Sequence, residues 1–190
     1  MKKKKPVLLW AAVGAAAVFL IGVTIGIVLI NQKYPPPTIE EHQIGEAFSY
    51  AYTPALEITV TDSHFVEEEE RQKMLQQERD DLNDPTLDKQ YFEVFLTVTN
   101  TGSETVQPEL YTCVLQSGAW INGTASFSVY ENGEETGSLE LEPGQKKELK
   151  LMYDISSIQF TSSQWADVKN REYRLMLNLY PIEQSVLLNN

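Results

Sequence analysis

The chain opens on a sharp contrast between charge and hydrocarbon. Lys2, Lys3, Lys4 and Lys5 precede Val7–Ile30, a run of 24 residues without a charged side chain. As helix, at about 1.5 Å per residue, the run spans roughly 36 Å, more than the ~30 Å of a bilayer's hydrocarbon. A helix buried in a soluble core would show a polar stripe, and this one has none. The pattern predicts a membrane-spanning segment over residues 7–30, with lipid as its partner. Only Lys33 follows it closely, so the lysine bias places residues 1–6 in the cytoplasm and the rest of the chain outside. A cleaved signal peptide would have a shorter apolar stretch and a small-x-small site. Asn31-Gln32-Lys33-Tyr34 offers neither small residues nor a cysteine to accept lipid, which predicts an uncleaved anchor. Trp10 and Tyr34 mark the two interfaces, and Gly22 with Gly26 forms a GxxxG pair on one helix face.

Beyond residue 30 the period changes. Pro35-Pro36-Pro37 favours a stiff extended rod, and residues 31–46 read as a polar tether in which His42 is solvated. From residue 47 the pattern alternates. Leu56, Ile58 and Val60 point one way and Glu57, Thr59 and Thr61 the other. Phe92, Val94, Leu96 and Val98 repeat this, as do Leu149, Leu151 and Tyr153, and then Tyr173, Leu175, Leu177 and Leu179. Period two with one apolar face is the signature of strands half-buried on a core. Tyr111, Cys113 and Leu115 form a further set, and Phe127 with Val129 another. Turn residues at Asn100-Thr101-Gly102-Ser103, Ser117-Gly118, Glu131-Asn132-Gly133-Glu134 and Glu142-Pro143-Gly144 separate the runs. Around seven short strands so punctuated predict an all-β antiparallel β-sandwich occupying residues 47–190.

One stretch departs from period two. Residues 66–82 hold strong helix formers without Gly or Pro, acids first and Arg79 late, as the helix dipole prefers. Their apolar residues are Val66, Met74, Leu75 and Leu82, enough for one narrow stripe. The expectation is a surface helix inserted between two strands.

Charge narrows the function. The net charge is −12, but after Lys33 ten Lys and Arg face all 27 Asp and Glu, a balance of −17. So acidic a domain does not neutralise phosphates, which excludes nucleic acid as a partner. A single cysteine, Cys113, rules out an intrachain disulfide, and a domain of this size buries sufficient core without one. This cysteine usage fits a Gram-positive surface better than a eukaryotic secretory route. Asn122-Gly123-Thr124 matches a glycosylation sequon and reads as a turn.

The residues carrying chemistry are sparse. Cys113 sits among apolar neighbours, where a buried inert thiol is expected. His64 precedes Glu67 and Glu68 at ligand spacing, but a strand ending at His64 breaks the helical register that a metal would need. Asp80, Asp81, Asn83, Asp84 and Asp88 form an oxygen-rich run without the Gly turn and distant Glu of an EF-hand loop. No nucleophile elbow, phosphate loop or paired zinc motif occurs. The chain is expected to be non-enzymatic, with no cofactor and no metal.

With its strands placed, the domain resembles a family of uncharacterised Ig-like (telokin-like) domains on Gram-positive surface proteins and lipoproteins. The resemblance is carried by Leu56-Glu57-Ile58-Thr59-Val60, the run YFEVFLTVTNTG from Tyr91 to Gly102, Leu141-Glu142-Pro143-Gly144-Gln145 and Tyr173-Arg174-Leu175. It covers roughly residues 44–181, and implies an immunoglobulin-like sandwich outside the membrane with no established activity. The chain departs from the commoner pattern in having a membrane helix instead of a lipidated cysteine, and in its acidic helix. The expected role is a binding module for a surface or envelope protein. The alternative is a structural accessory of an envelope complex acting through the membrane helix. Glu67, Glu68, Glu69 and Glu70 on the inserted helix, with Trp120 and Trp165 as exposed aromatic anchors, are the expected partner-binding residues.

Overall fold

The computed structural model describes residues 5–125, 129–131, 134–136 and 138–188. The expected apolar residue Phe127, and the middle of the Glu131–Glu134 turn, lie outside them. The chain divides at Pro37 into two compact units.

The first unit is helix α1, Lys5–Lys33, a 29-residue element with no acidic residue in its first turn. Its Trp10–Lys33 stretch is long and apolar enough to cross a membrane, and none of it is buried within the protein. Thr24, its one hydroxyl, bonds back to the Leu20 carbonyl at 2.9 Å, so its polar group is satisfied within the helix.

The second unit is built of two packed sheets. Strands β1 (Thr38–Gln43), β2 (Ala47–Tyr50) and β3 (Thr53–Phe65) lead into helix α2 (Glu68–Leu82), and β4 (Lys89–Asn100) follows. After a 3-10 turn at Leu110–Thr112 come β5 (Val114–Ser117), β6 (Trp120–Asn122), β7 (Val129–Glu131), β8 (Glu134–Thr136) and β9 (Lys146–Ser156). A short helix α3 (Ser162–Ala166) precedes β10 (Tyr173–Asn178) and β11 (Ile182–Leu188). One sheet runs β1-β11-β10-β5-β6 and the other β2-β3-β4-β9-β7-β8. The all-β sandwich is therefore present, with more strands than the alternation marks out and with β3, β4 and β9 longer than their alternating runs.

Leu56, Ile58, Val60, Phe92, Val94, Leu151, Tyr153, Tyr173 and Leu175 all lie in the core with no solvent exposure. Every one of them was placed inward by period two. Leu179 is the exception at 58% exposed. The β10–β11 register shifts between Met176 and Asn178 and β10 ends there, so alternation no longer governs residue 179.

Two expectations need correction. Residues 38–43 are not tether but strand β1, which pairs in parallel with β11 from Thr38↔Ile182 to Gln43↔Leu187. The sandwich thus begins at Thr38 and is not wholly antiparallel. TIEEHQ reads as polar because an edge strand needs few buried side chains to be held by its ladder. His42 is consequently not solvated: it stacks on Phe48 with ring centroids 3.9 Å apart and pairs with Glu46 at 2.9 Å.

Helix α2 lies where expected and rests on the outer face of β4. Val66, Leu75 and Tyr91 form a small second core with Met74 and Leu87 against it. Arg71 is buried beside them, gripping Glu68 through two hydrogen bonds of 2.9 and 2.7 Å and donating to the Lys89 carbonyl at 2.8 Å. Asn83 ends the helix in the left-handed conformation, φ 51°. Leu75→Ala should cost about 2–3 kcal/mol, near the lower end for a buried leucine because the cluster is small. Deleting residues 67–84 behind a short Gly-Ser linker should leave the sandwich folded, since β3 and β4 already meet at Phe65↔Phe92. Urea unfolding monitored by circular dichroism checks both. Loss of the cooperative transition in the deletion would make the helix part of the main core.

Candidate functional site

The two ends of the sandwich differ in character. At one end β3 finishes, β4 and β10 begin, and an aromatic cluster fills the gap. Phe65 and Phe92 from one sheet meet Tyr173 from the other with centroids 5.7 and 5.2 Å away. Trp120, Phe160 and Trp165 extend the cluster outward, with centroids 5.5 and 6.1 Å from Phe160. The sequence placed Trp120 and Trp165 as exposed anchors, and they are instead half-buried against the core. The Trp165 indole N–H donates to the Asp88 carboxylate at 3.0 Å. Loops pack down here because six rings supply more apolar surface than one sheet end leaves open.

Glu67, Glu68, Glu69 and Glu70 do face solvent at this end, but the patch they present is weaker than its sequence suggests. Glu68 hydrogen-bonds Arg71 and Gln72, and these bonds, with the nearby Arg71 and Lys169 charges, hold its carboxyl down at about 2. Glu69 pairs with Lys73 at 2.7 Å. Two of the four charges are thus answered within reach of the helix itself.

The acidic run after α2 disperses into local bonds. The Asp84 carboxylate accepts from the Thr86 backbone N–H and hydroxyl at 2.9 and 2.7 Å, and Asp88 turns away to Arg71 and Trp165. Among the described residues no group of three or more His, Cys, Asp or Glu is arranged to hold a metal ion. His64 sits in β3 against Asp62 and Glu93, at 3.1 and 3.6 Å, and stacks near Phe95. Cys113 is fully buried, and burial pushes its thiol up to about 12, so it is protonated at neutral pH.

The opposite end holds what the sequence reading missed. There the β2–β3 turn, the 3-10 turn before β5 and the end of β10 converge on a pocket of about 320 Å³. Tyr50 lies buried at its base, its hydroxyl donating to the Leu177 carbonyl at 3.4 Å. Tyr52 leans on Tyr50, centroids 6.2 Å apart and planes 37° from parallel, and is itself 70% exposed. Glu109, Ile121, Met176 and Leu179 are among the side chains of its walls. Tyr111 stands beside Glu109. Desolvation raises its hydroxyl pKa, with the charge and hydrogen bond of Glu109 and the proximity of Tyr52 adding to the rise. Exposed Leu179 and Tyr180, just before the cis Tyr180-Pro181 bond, border the same end. Tyr50, Tyr52 and Tyr180 sit beside turns, in Tyr50-Ala51-Tyr52-Thr53-Pro54 and Leu179-Tyr180-Pro181. Rings clustered next to prolines at strand ends are the signal that could have found the site, since a turn cannot bury a ring as a strand face does.

The family described as Domain of unknown function (DUF5028) matches residues 39–184. The chain belongs to this family. The DUF5028 match begins inside β1 and ends inside β11, enclosing α2, Trp120, Trp165 and the whole pocket, while α1 lies outside it. Two solved structures are similar in fold. An uncharacterized β-sandwich protein from Clostridium difficile 630 is 12% identical, with a TM-score of 0.48 over 80% of this chain and 96% of that one. The yjhA protein from Bacillus subtilis is 16% identical, with a TM-score of 0.44 over 78% of this chain and 99% of that one. Comparison with curated proteins finds no match.

Proposed function

We propose that the chain is a membrane-anchored, non-enzymatic binding module whose sandwich stands outside the membrane and engages a surface or envelope protein. The observation that carries this reading is the pocket at the β2–β3 end, where exposed Tyr52 and buried Tyr50 line a concavity on a firmly built sandwich. Rigid strands presenting adaptable loops are the common arrangement of recognition domains. Tyr52, more exposed than the half-buried Trp120 and Trp165, is the anchor at this end. Outside placement rests on the lysine bias around α1, and the immunoglobulin-like and Gram-positive surface assignments rest on the resemblance of the strand and turn motifs. An accessory role acting through α1 would lean on Gly22 and Gly26, which have nothing within 4 Å of an added Cβ.

Two measurements on cells test the proposal. Protease added to intact, wall-stripped cells should remove the sandwich and leave α1 in the membrane fraction. A photo-crosslinking residue at position 52 should capture a discrete partner that one at position 70 does not. A protected domain would sink the outside placement. A captured partner that depends on position 22 or 26, and not on 52, would favour the accessory role.

A further inference from the structure

We infer that the pocket beside Tyr52 receives the ammonium group of a lysine side chain from the partner polypeptide, held between the Tyr52 ring and the Glu109 carboxylate. The inference rests on the binding-module reading and names the chemistry of what is bound.

Shape comes first. At about 320 Å³ the pocket lies at the lower limit of ligand sites, matched to one flexible side chain and not to a folded element. Val114, Ile121, Met176 and Leu179 give its walls apolar surface, beside the polar Thr112 and Asn178. A lysine stem buries well against such surface while its charged head seeks a polar end.

Charge supplies the polar end. Glu109 is the acid among the lining residues, and no Lys or Arg lines the pocket. The face of a tyrosine ring is the negative part of its quadrupole, and an ammonium within about 6 Å of the centroid is attracted to it. Tyr52 is positioned for this because Tyr50 beneath it is immobilised by burial and by its bond to Leu177. Glu109 and Tyr52 line the same pocket, so a carboxylate and a ring face are available to one cation there.

The rest of the domain points the same way. Among the described residues, seven of the ten Lys and Arg after residue 33 already pair with carboxylates, namely Arg71, Lys73, Lys89, Lys147, Lys150, Lys169 and Arg174. The positive charge is spent internally, and the surplus of acids is left to set the field outside. Such a field draws cations toward any cleft and repels anions, with a strong dependence on salt. An apolar cleft in a neutral domain would be open to many ligands, whereas this one selects for a cation with a hydrocarbon stem.

The test uses the full chain in nanodiscs with methyl-labelled Met and Ile, and the probe Nα-acetyl-lysine methylamide. The neutral control is Nα-acetyl-norleucine methylamide, which keeps the stem and lacks the ammonium. Choline represents a quaternary ammonium from a lipid or wall headgroup. The expected result is saturable shifts of the Met176 and Ile121 methyl signals with the lysine probe at millimolar concentration. These should weaken several-fold between low and physiological salt. Tyr52→Ala and Glu109→Gln should each weaken binding about fivefold, with the remaining methyl spectrum unchanged to show an intact fold. Equal shifts from the norleucine probe would overturn the cation assignment. Choline binding tenfold tighter than the lysine probe would overturn the polypeptide source. No saturable shift from any probe would overturn the site itself. The binding-module reading fails separately, by loss of position-52 crosslinking on cells.

Discussion

Tyr173→Ala should be the most damaging single truncation in the sandwich, costing about 4 kcal/mol. In a domain of this size that lowers the melting temperature by about 12 °C. Tyr173 has no solvent exposure, and its ring stacks on Phe92 at 5.2 Å and meets Phe65 and Trp120 edge-on at 5.7 and 6.4 Å. Phe65 and Phe92 belong to one sheet and Tyr173 and Trp120 to the other, so the ring joins the two layers. Removing it opens a ring-sized void between sheets whose backbones are each fixed by ladders, which limits collapse. The hydroxyl adds a smaller part by donating to the Val168 carbonyl at 2.9 Å, fixing the segment between α3 and β10. Tyr173→Phe keeps the packing and loses only that bond, and should cost about 1 kcal/mol. Urea denaturation of both variants separates the two contributions. If the alanine variant lost no more than the phenylalanine variant, the cluster would not be what holds the sheets together.

The core of this fold was legible because period two is imposed by strand geometry itself. Leu56 to Val60 and Phe92 to Val98 alternate in sequence and are buried as the alternation requires. Helix α2 was legible because its composition breaks that period without Gly or Pro. Three things were hidden, each for a physical reason. Strand β1 was read as tether because pairing at an edge is a backbone matter and leaves the sequence polar. Trp120 and Trp165 are expected as exposed anchors because β6 and α3, three and five residues long, are too short for a period to reveal which way a ring faces. The pocket was invisible because its walls come from four separated stretches, around residues 50, 110, 121 and 177. Only the three-dimensional register brings them together. Two of the resemblance motifs hold turns that hydrogen bonds join in the structure, Asn100–Gly102 and Pro143–Gly144.

Asn100 is the clearest case, and Asn100→Leu should cost about 3 kcal/mol despite adding apolar surface to a buried position. The side chain has no exposure at the end of β4. Its amide donates to the carbonyls of Glu104 and Leu141 at 2.7 and 3.0 Å, and its oxygen accepts from the Gly102 N–H at 2.9 Å. Its backbone meanwhile donates to Gln145 and accepts from Gly144. One residue therefore ties the Asn-x-Gly turn to the Pro-Gly turn that opens β9. Gly144 holds φ at +75°, and a Cβ on Gly102 would come within 2.9 Å of the Ala55 Cβ, so neither turn can be rebuilt with larger residues. In Asn100→Leu the Gly102 N–H and Glu104 carbonyl lose their side-chain partners, at about 1–3 kcal/mol each if left buried, while Leu141 keeps its bond from Val106. Asn100→Asp sharpens the test. Its carboxyl would face two carbonyl oxygens, so the folded state favours the protonated form, which can still donate. The folded pKa is then raised above the unfolded value of about 3.9. With a raised folded pKa, stability is fullest below the unfolded pKa and falls as pH rises toward the folded one. The Asp variant should accordingly be nearest to wild type at pH about 4 and fall progressively behind toward pH 7, whereas the Leu variant should trail by a constant amount. Melting curves at pH 4, 5.5 and 7 decide it. A pH-independent loss in the Asp variant would mean that the amide's two donor bonds contribute little to joining the turns.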